Sequence, residues 1–243
     1  MPNKTVLITG AALRIGAAIT RELHAAGMDV VIHYLNSRQP AESLAAELNN
    51  QRPDSAWTLA ADLRDTTTLQ TLINHAIACN GRLDALVNNA SAFYPTPLAE
   101  VDESSWNELM DVNLKAPMFL SQYASEELQR HEGCIINLTD IHAERPLKNH
   151  PVYSTAKAGL ITLTTALAKE LAPAIRVNAV SPGAVLWPES MDTATQQEIL
   201  ERIPLQRRGN PADVARAVLF MIRDAHYVTG QILSIDGGRT LYS

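Results

Sequence analysis

The sequence predicts an α/β fold with a doubly wound parallel sheet flanked by helices. Short strand-like runs alternate with longer helical patterns from one end of the 243 residues to the other. Some runs are apolar throughout, as in Val6-Leu7-Ile8, which is typical of parallel strands that are buried on both faces. Because no Pro/Gly/Ser linker, charge block or internal repeat interrupts the alternation, we expect one domain over residues 1–243.

Composition excludes several classes of protein. A formal net charge of -6 argues against a nucleic-acid partner, which would require a basic surface. The apolar run at residues 5–8 is too short for a signal peptide, and no stretch approaches the ~20 apolar residues of a membrane span. Cys79 and Cys134 are isolated, so we expect buried free thiols in a reducing compartment. These features predict a cytoplasmic protein with no membrane association.

The first strand leads into a glycine-rich turn. Thr9-Gly10-Ala11-Ala12-Leu13-Arg14-Ile15-Gly16 follows the strand and opens a helix that Gly27 ends. Gly10 and Gly16 suit a tight turn and a close approach of backbone to phosphate, and the helix N-terminus adds N–H donors. A strand, a glycine-rich turn and a helix in this order predict a Rossmann-like dinucleotide site.

The second predicted strand, 29–35, indicates the type of dinucleotide. An NAD site usually has an acid near its end, whereas this chain has His33-Tyr34-Leu35-Asn36-Ser37-Arg38 and no acid between Asp29 and Glu42. Arg14 and Arg38 suit the additional 2′-phosphate of NADP. The alternative is that Arg38 is a solvated loop residue.

The middle of the chain continues the alternation. We expect helices at 40–49 and 66–78 and strands at 56–59 and 85–87. Asp62 follows the third strand, where its carboxylate could accept from an adenine amino group or simply form a turn. Phe93 and Tyr94 follow the fourth strand, where they could wall a flat substrate or pack beneath a loop.

The second half supplies three further site candidates. A helical region over 103–132 contains Asn113, which in such a position is usually solvated or locally bonded. A strand at 134–140 brings Asp140 to its carboxyl end, and a strand at 176–180 ends at Ser181-Pro182-Gly183. Segment 184–207 is the least regular and is a candidate substrate lid, although its Trp187 suits ordinary packing equally well. A helix at 212–223 and a strand at 232–235 complete the sheet.

Tyr153 and Lys157 lie four residues apart in a helix that opens at Pro151. This spacing puts them on one helix face, with Cβ atoms about 5–6 Å apart. A nearby cation favours the phenolate, lowers the pKa of the tyrosine and makes it a better proton donor. The alternative is an amphipathic helix with a surface tyrosine and a solvated lysine.

Taken together, these motifs resemble the short-chain dehydrogenase/reductase family over essentially the whole chain. The set comprises Thr9-Gly10-x-x-x-Arg14-Ile15-Gly16, Asn88-Asn89-Ala90, Asn113, Tyr153-x-x-x-Lys157 and Pro182-Gly183, in order. The family usually has glycine at the position of Arg14 and serine at the position of Asp140.

Those two departures, with His33-Tyr34, Ser37 and the stretch Asn-Ala-Ser-Ala-Phe-Tyr-Pro-Thr-Pro-Leu at 89–98, resemble the pteridine reductases. Leu35 and Asn36 depart from the more basic cofactor loop of that group. The resemblance implies hydride transfer from NADPH to a dihydropterin, with dihydrofolate as a further substrate. It also implies a homotetramer, with the Tyr153 helix and the 103–132 region at subunit contacts.

The resemblance also assigns roles. Tyr153 would donate the proton, Lys157 would hold the nicotinamide ribose and tune Tyr153, and Asn113 would anchor a relay water. Phe93 would stack on the pterin and Ser91 would hydrogen-bond its edge. The predicted catalytic residues are Asn113, Asp140, Tyr153 and Lys157. The predicted substrate residues are Ser91, Phe93, Asp140, Tyr153, Leu186 and Trp187. The predicted cofactor residues are Gly10, Arg14, Ile15, Gly16, His33, Tyr34, Asn36, Ser37, Arg38, Asp62, Leu63, Asn89, Ala90, Ser91, Tyr153, Lys157, Pro182 and Gly183. No metal is expected.

Asp140 is the residue that distinguishes the candidate reactions. A serine hydroxyl can donate to a substrate carbonyl, whereas an ionised carboxylate only accepts. A carboxylate beside Tyr153 would favour the neutral phenol and oppose Lys157, which suits protonation of a ring nitrogen; a protonated Asp140 could itself donate. Two alternatives remain, a carbonyl reductase such as a 3-oxoacyl thioester reductase and a non-catalytic NADP-sensing regulator.

Overall fold

The structure, a computed structural model, describes residues 3–187 and 191–241. Its centre is one parallel sheet of seven strands in the order β3-β2-β1-β4-β5-β6-β7. The order reverses direction between β1 and β4, and such a reversal opens a crevice at the carboxyl ends of the strands. The strands are β1 (Thr5–Ile8), β2 (Asp29–Tyr34), β3 (Ala56–Ala60), β4 (Ala85–Asn88), β5 (Cys134–Leu138), β6 (Arg176–Pro182) and β7 (Ile232–Ile235).

Helices cover both faces of this sheet. They are α1 (Arg14–Ala25), α2 (Arg38–Gln51), α3 (Thr66–Asn80), α4 (Glu103–Met110), α5 (Ala116–Arg130), α6 (Pro151–Leu171), α7 (Thr193–Glu201) and α8 (Pro211–Arg223). In β1, Val6 and Ile8 pack into one buried cluster and Leu7 into the other. This division arises because successive side chains of a strand point to opposite faces. The predicted fold class, a doubly wound Rossmann-like sheet, is therefore confirmed.

The predicted helical region over 103–132 contains an irregularity that its sequence did not reveal. Between α4 and α5, the stretch Asp111–Lys115 forms one wide π-helical turn, and Asn113 lies in its middle, fully buried. Such turns insert one additional residue into a helix and occur frequently at functional sites. The wide turn brings Asn113 against the loop that follows β4.

The segment 184–207 is more regular than the sequence analysis expected. It contains α7, whose N-terminus is capped by Asp192, which accepts from the backbone N–H of Thr195 at 2.8 Å. No residue of α7 is fully buried. The helix therefore lacks the apolar stripe on which the prediction of helices relied. Residues 188–190, which belong to the proposed lid, lie outside the described residues, and the role of a lid stays a prediction.

The two cysteines and the lengths of the helices bear on the expected thiols and on the expected lack of a membrane span. Cys134 is buried and Cys79 is half-buried, and both are free thiols. Within residues 3–187 and 191–241, no helix combines the length and the apolar character needed to cross a membrane.

Candidate active site

A cleft of about 690 Å³ lies across the carboxyl ends of the strands. It begins at the β1–α1 turn, passes the loops after β3 and β4, and ends between α6 and the loop after β6. This is the crevice in which ligands of open α/β sheets bind.

The glycine-rich turn forms one wall of the cleft. Gly10 has a φ of 60°, and a Cβ at Gly16 would lie 2.2 Å from the carbonyl oxygen of Gly10. Both positions therefore require glycine. Asn89 braces the turn from β4, because its Nδ2 donates to the carbonyl oxygens of Thr9 at 2.8 Å and Gly10 at 3.0 Å. The cradle leaves room for a phosphate close to the backbone, as a dinucleotide would need.

His33 supports the same turn from β2. The backbone N–H of Gly10 donates to His33 Nδ1 at 3.1 Å, and His33 Nε2 lies 3.1 Å from the carbonyl oxygen of Ala61. Burial lowers the pKa of His33 to about 4. The imidazole is therefore neutral near pH 7, with its proton on Nε2, because Nδ1 must accept. His33 holds the turn in shape as well as lining the cleft.

The two arginines expected at the 2′-phosphate are placed differently. Arg14 lines the cleft and has a φ of 53°, a left-handed conformation that favours glycine. Arg38 does not line the cleft; its Nε donates to Glu42 at 2.7 Å in an exposed pair one helical turn along α2. Tyr34, Asn36 and Ser37 do line the cleft. Of the two expected cations, only Arg14 lines the cleft.

Asp140 and Tyr153 form the central contact of the site. Tyr153 Oη donates to Asp140 Oδ2 at 2.8 Å, and Asp140 Oδ1 accepts from the backbone N–H of His142 at 2.8 Å. Lys157 lies one helical turn after Tyr153, with Nζ at 5.8 Å from the centroid of the phenol ring. Lys157 Nζ donates to the carbonyl oxygen of Leu138 at 2.8 Å. The helix and the end of β5 therefore bring all three predicted groups together.

The electrostatics of this trio differ from the first expectation. Burial raises the pKa of Tyr153 well above its usual range, and the charge of Asp140 and its hydrogen bond raise it further. Burial also lowers the pKa of Lys157 to about 8. The expectation that the pKa of Tyr153 is lowered is wrong, because burial and Asp140 raise it. The expected preference for the neutral phenol beside a carboxylate agrees with this result.

Both polar atoms of the Asn113 side chain form hydrogen bonds to other protein groups. Its Nδ2 donates to the carbonyl oxygens of Leu109 and Ala92, both at 2.9 Å. Its Oδ1 accepts from Ser91 Oγ at 2.7 Å. The side chain does not line the cleft and instead holds Ser91, which does.

Phe93 has two ring neighbours. It meets Tyr153 edge to face at a centroid distance of 4.8 Å, and it stacks on His150 at 4.8 Å with an interplanar angle of 13°. Phe93 is still 50% exposed. The imidazole therefore occupies one face of Phe93, and half of the ring remains accessible to solvent. Sequence reasoning missed His150, whose position directly before Pro151 and α6 was the available signal.

The far end of the cleft is formed by the loop after β6. Pro182, Gly183 and Leu186 line it, whereas Trp187 is half-buried and does not. A Cβ at Gly183 would lie 2.7 Å from the Cβ of Asp236, so this loop packs tightly on the chain after β7.

Other lining residues were not predicted. Most of them are apolar or small residues that no motif distinguishes. Arg64 and Glu108 are charged, and Tyr94 was expected only as a wall for a flat substrate or as packing beneath a loop. The additional lining residues are Ala12, Leu13, Leu35, Arg64, Ala92, Tyr94, Glu108, Val112, Leu138, Thr139 and Val185. The remaining predicted cofactor residues, which do line the cleft, are Ile15, Asp62, Leu63, Asn89 and Ala90.

Comparisons with known proteins agree with this geometry. A family model described as enoyl-(acyl carrier protein) reductase matches residues 10–240. Pteridine reductase 1 of Leishmania tarentolae is 37% identical, over 97% of this chain and 96% of that protein. A 3-oxoacyl-[acyl-carrier-protein] reductase FabG of Staphylococcus aureus (strain N315) is 33% identical, over 97% of this chain and 98% of its own length. The short chain dehydrogenase mdpC of Emericella nidulans is 32% identical, over 98% of this chain and 96% of that protein.

These matches span nearly the whole chain and include the glycine turn, the Tyr153 helix and the loop after β6. Members of this family bind a nicotinamide dinucleotide. The chain therefore belongs to the short-chain dehydrogenase/reductase family and is an oxidoreductase.

Proposed function

We propose that this protein is an NADPH-dependent pteridine reductase that reduces a dihydropterin to the tetrahydro form, and we name dihydrofolate as the second substrate to test. The observation that carries the proposal is the hydrogen bond from Tyr153 Oη to Asp140 Oδ2 at 2.8 Å. It puts a carboxylate where the family usually has serine. The half-exposed ring of Phe93 beside Tyr153 supports a flat aromatic substrate.

The residues of the cleft fit the cofactor. Gly10 and Gly16 leave a cradle that a Cβ would fill, and the N-terminus of α1 supplies N–H donors for phosphate. Lys157 and Arg14 both line the cleft, and we assign to Lys157 the nicotinamide ribose and to Arg14 the 2′-phosphate. NADPH, when bound, supplies the hydride that adds to the carbon of a C=N bond.

The nitrogen of that bond must gain a proton, and we assign its delivery to Tyr153. Asp140 fixes the direction of the phenol through the hydrogen bond at Oδ2. Because Asp140 also favours the neutral phenol, Tyr153 keeps its proton until a basic ring nitrogen arrives. We assign the hydrogen bond to the substrate edge to Ser91, whose Oγ is oriented by its contact with Asn113.

A 3-oxoacyl thioester reductase is the second candidate, favoured by the relative of that name at 33% identity. That reaction needs donors that stabilise an alkoxide. An ionised Asp140 accepts and does not donate, which disfavours the developing negative charge beside it. A non-catalytic NADP sensor is the third candidate, but it would not need a buried Tyr153 and Lys157 beside the half-buried Asp140.

Parallel assays with purified protein test the proposal. NADPH oxidation is followed by its absorbance with a 7,8-dihydropterin, dihydrofolate and an acetoacetyl thioester as separate substrates. We expect turnover with the dihydropterin. Turnover with the thioester alone would replace the proposal with the second candidate, and tight NADPH binding without any turnover would favour the sensor.

Arg14→Gly is expected to lower the NADPH/NADH ratio of kcat/KM by about 10- to 100-fold, as the loss of a charge-assisted contact worth about 1.5–3 kcal/mol requires. Glycine suits the φ of 53° at this position, so the turn should be retained. Arg38→Gln is the matched control, because Arg38 pairs with Glu42 outside the cleft and its loss should leave the ratio unchanged. The steady-state kinetics of both cofactors decide. An unchanged ratio in Arg14→Gly would remove Arg14 from 2′-phosphate recognition.

NADPH affinity is expected to weaken as the pH rises through about 8, because Lys157 then loses the charge with which it would hold the ribose. The sign for stability is opposite. The pKa of Lys157 in the folded protein lies below the usual lysine value of 10.5, so the unfolded chain retains the proton longer and the free energy of unfolding rises as the pH increases from about 8 to 10.5. Fluorescence titrations from pH 6 to 10 check the first effect. Lys157→Met should bind NADPH weakly at every pH, without the decrease in affinity near pH 8. If that variant showed the same decrease, the titration would belong to another group.

A further inference from the structure

Four polar side chains connect two walls of the cleft. The loop after β3 carries Asp62 and Arg64, the loop after β4 carries Tyr94, and α4 carries Glu108. All four line the cleft, and Tyr94 is the neighbour of Phe93 in the chain. None of their mutual contacts is used by the mechanism above.

Arg64 is bound to Asp62 at two points. Arg64 Nε donates to Asp62 Oδ1 at 3.0 Å, and Arg64 Nη2 donates to Asp62 Oδ2 at 2.6 Å. The backbone N–H of Arg64 also donates to Asp62 Oδ1 at 3.0 Å. Asp62, the residue expected to accept from the adenine amino group, therefore already accepts three N–H groups. A further donor would compete with the guanidinium for this carboxylate.

The other end of the guanidinium approaches Glu108. Arg64 Nη1 lies 3.7 Å from Glu108 Oε1, while Tyr94 Oη donates to Glu108 Oε2 at 3.0 Å. The distance of 3.7 Å is longer than a charge-assisted hydrogen bond, which has a length of about 2.7–2.9 Å. Arg64 thus holds Asp62 closely and Glu108 loosely.

We propose that Arg64 is a positioning residue that couples the adenine end of the cleft to the substrate wall. An adenine amino group that donates to Asp62 competes with the guanidinium of Arg64, which then moves toward Glu108. The shorter contact between Arg64 and Glu108 fixes the Glu108 side chain, and Glu108 in turn holds Tyr94 and the adjacent Phe93 in place. The inference requires a bound nicotinamide dinucleotide but not a pterin, so it stands apart from the identity of the substrate.

Hydrogen–deuterium exchange with and without saturating NADPH tests the coupling directly. In the wild type, we expect NADPH to slow exchange at residues 92–98 as well as at the glycine turn, 10–16. Arg64→Gln should keep the slowing at 10–16, which reports bound cofactor, and lose it at 92–98. The matched control is Arg21→Gln, because Arg21 forms a similar exposed two-point pair with Glu47 at 2.9 and 2.8 Å outside the cleft. The control should behave as the wild type does.

Three results would overturn the proposal. The first is a wild type in which NADPH leaves 92–98 unchanged, and the second is an Arg64→Gln variant that keeps the slowing there. The third is loss of NADPH binding by Arg64→Gln, which would make Arg64 a residue that holds the cofactor.

Tyr94→Phe tests the opposite end of the connection. It removes the hydroxyl that donates to Glu108 and keeps the ring. With the substrate that the wild type reduces, both Tyr94→Phe and Arg64→Gln should raise KM by about two- to fivefold at unchanged kcat, as the loss of one hydrogen bond or of one exposed ion pair implies. Equal kinetics of the wild type and both variants would contradict the coupling while leaving the proposed reaction untouched.

Discussion

Tyr153→Phe is expected to lower kcat for dihydropterin reduction by about 10²- to 10⁴-fold, the range over which general acid catalysis contributes. The change removes the hydroxyl that Asp140 orients and leaves the ring that meets Phe93 edge to face. NADPH binding should remain, because Lys157 keeps its contact with the carbonyl oxygen of Leu138. Single-turnover kinetics and a fluorescence titration with NADPH measure the two properties separately.

Tyr123→Phe is the matched control for this variant. Tyr123 is half-buried in α5, contacts Phe119 and does not line the cleft, so loss of its hydroxyl should leave kcat unchanged. Turnover by Tyr153→Phe within a few-fold of the wild type would show that another group delivers the proton. Asp140, which the phenol contacts, would then be the first candidate.

Asp140→Asn is expected to lower kcat/KM for the dihydropterin by about 10²-fold or more, from the same range for acid–base groups. The substitution keeps the size of the side chain and removes its charge. The pKa of Tyr153 should fall, since the charge of Asp140 and its hydrogen bond both raise that pKa in the wild type. Kinetics as a function of pH, together with ultraviolet titration of the phenol, report both consequences.

Asp140→Ser sharpens this test, because it restores the residue that the family usually has here. A hydroxyl can donate to a carbonyl oxygen, so the ratio of thioester to dihydropterin turnover should rise above that of Asp140→Asn. If both variants reduce the dihydropterin as the wild type does, Asp140 has no part in the choice of substrate. The reductase assignment at the family level would be unaffected by that outcome.

The sheet was predictable because its strands are apolar and end at recognisable turns, as Val6-Leu7-Ile8 does before Gly10. Helix α7 was not predicted, since none of its residues is buried and an exposed helix has no apolar period to detect. Its N-cap, Asp192, was a usable signal.

In the site, the sequence spacing predicted that Tyr153 and Lys157 share one helix face, but it could not predict which groups their side chains bind. Lys157 donates to the carbonyl oxygen of Leu138, and Tyr153 donates to Asp140, thirteen positions away in the chain. The pairing of Arg38 with Glu42 is likewise a choice of rotamer on an exposed helix. Such choices depend on neighbours in space, which periodicity does not contain.

The wide turn at Asp111–Lys115 also fixes how two helices are rotated about a common axis. Each residue of an α-helix advances the side-chain direction by about 100°, so one additional residue changes the phase of everything that follows. With this phase, Asn113 reaches Ser91 while Leu120, Ala124 and Leu128 of α5 are buried in the core. If one residue were lost from the turn, α5 would be rotated by about 100° relative to α4. The contact of Asn113 with Ser91 and the burial of the apolar face of α5 could then no longer be kept at the same time.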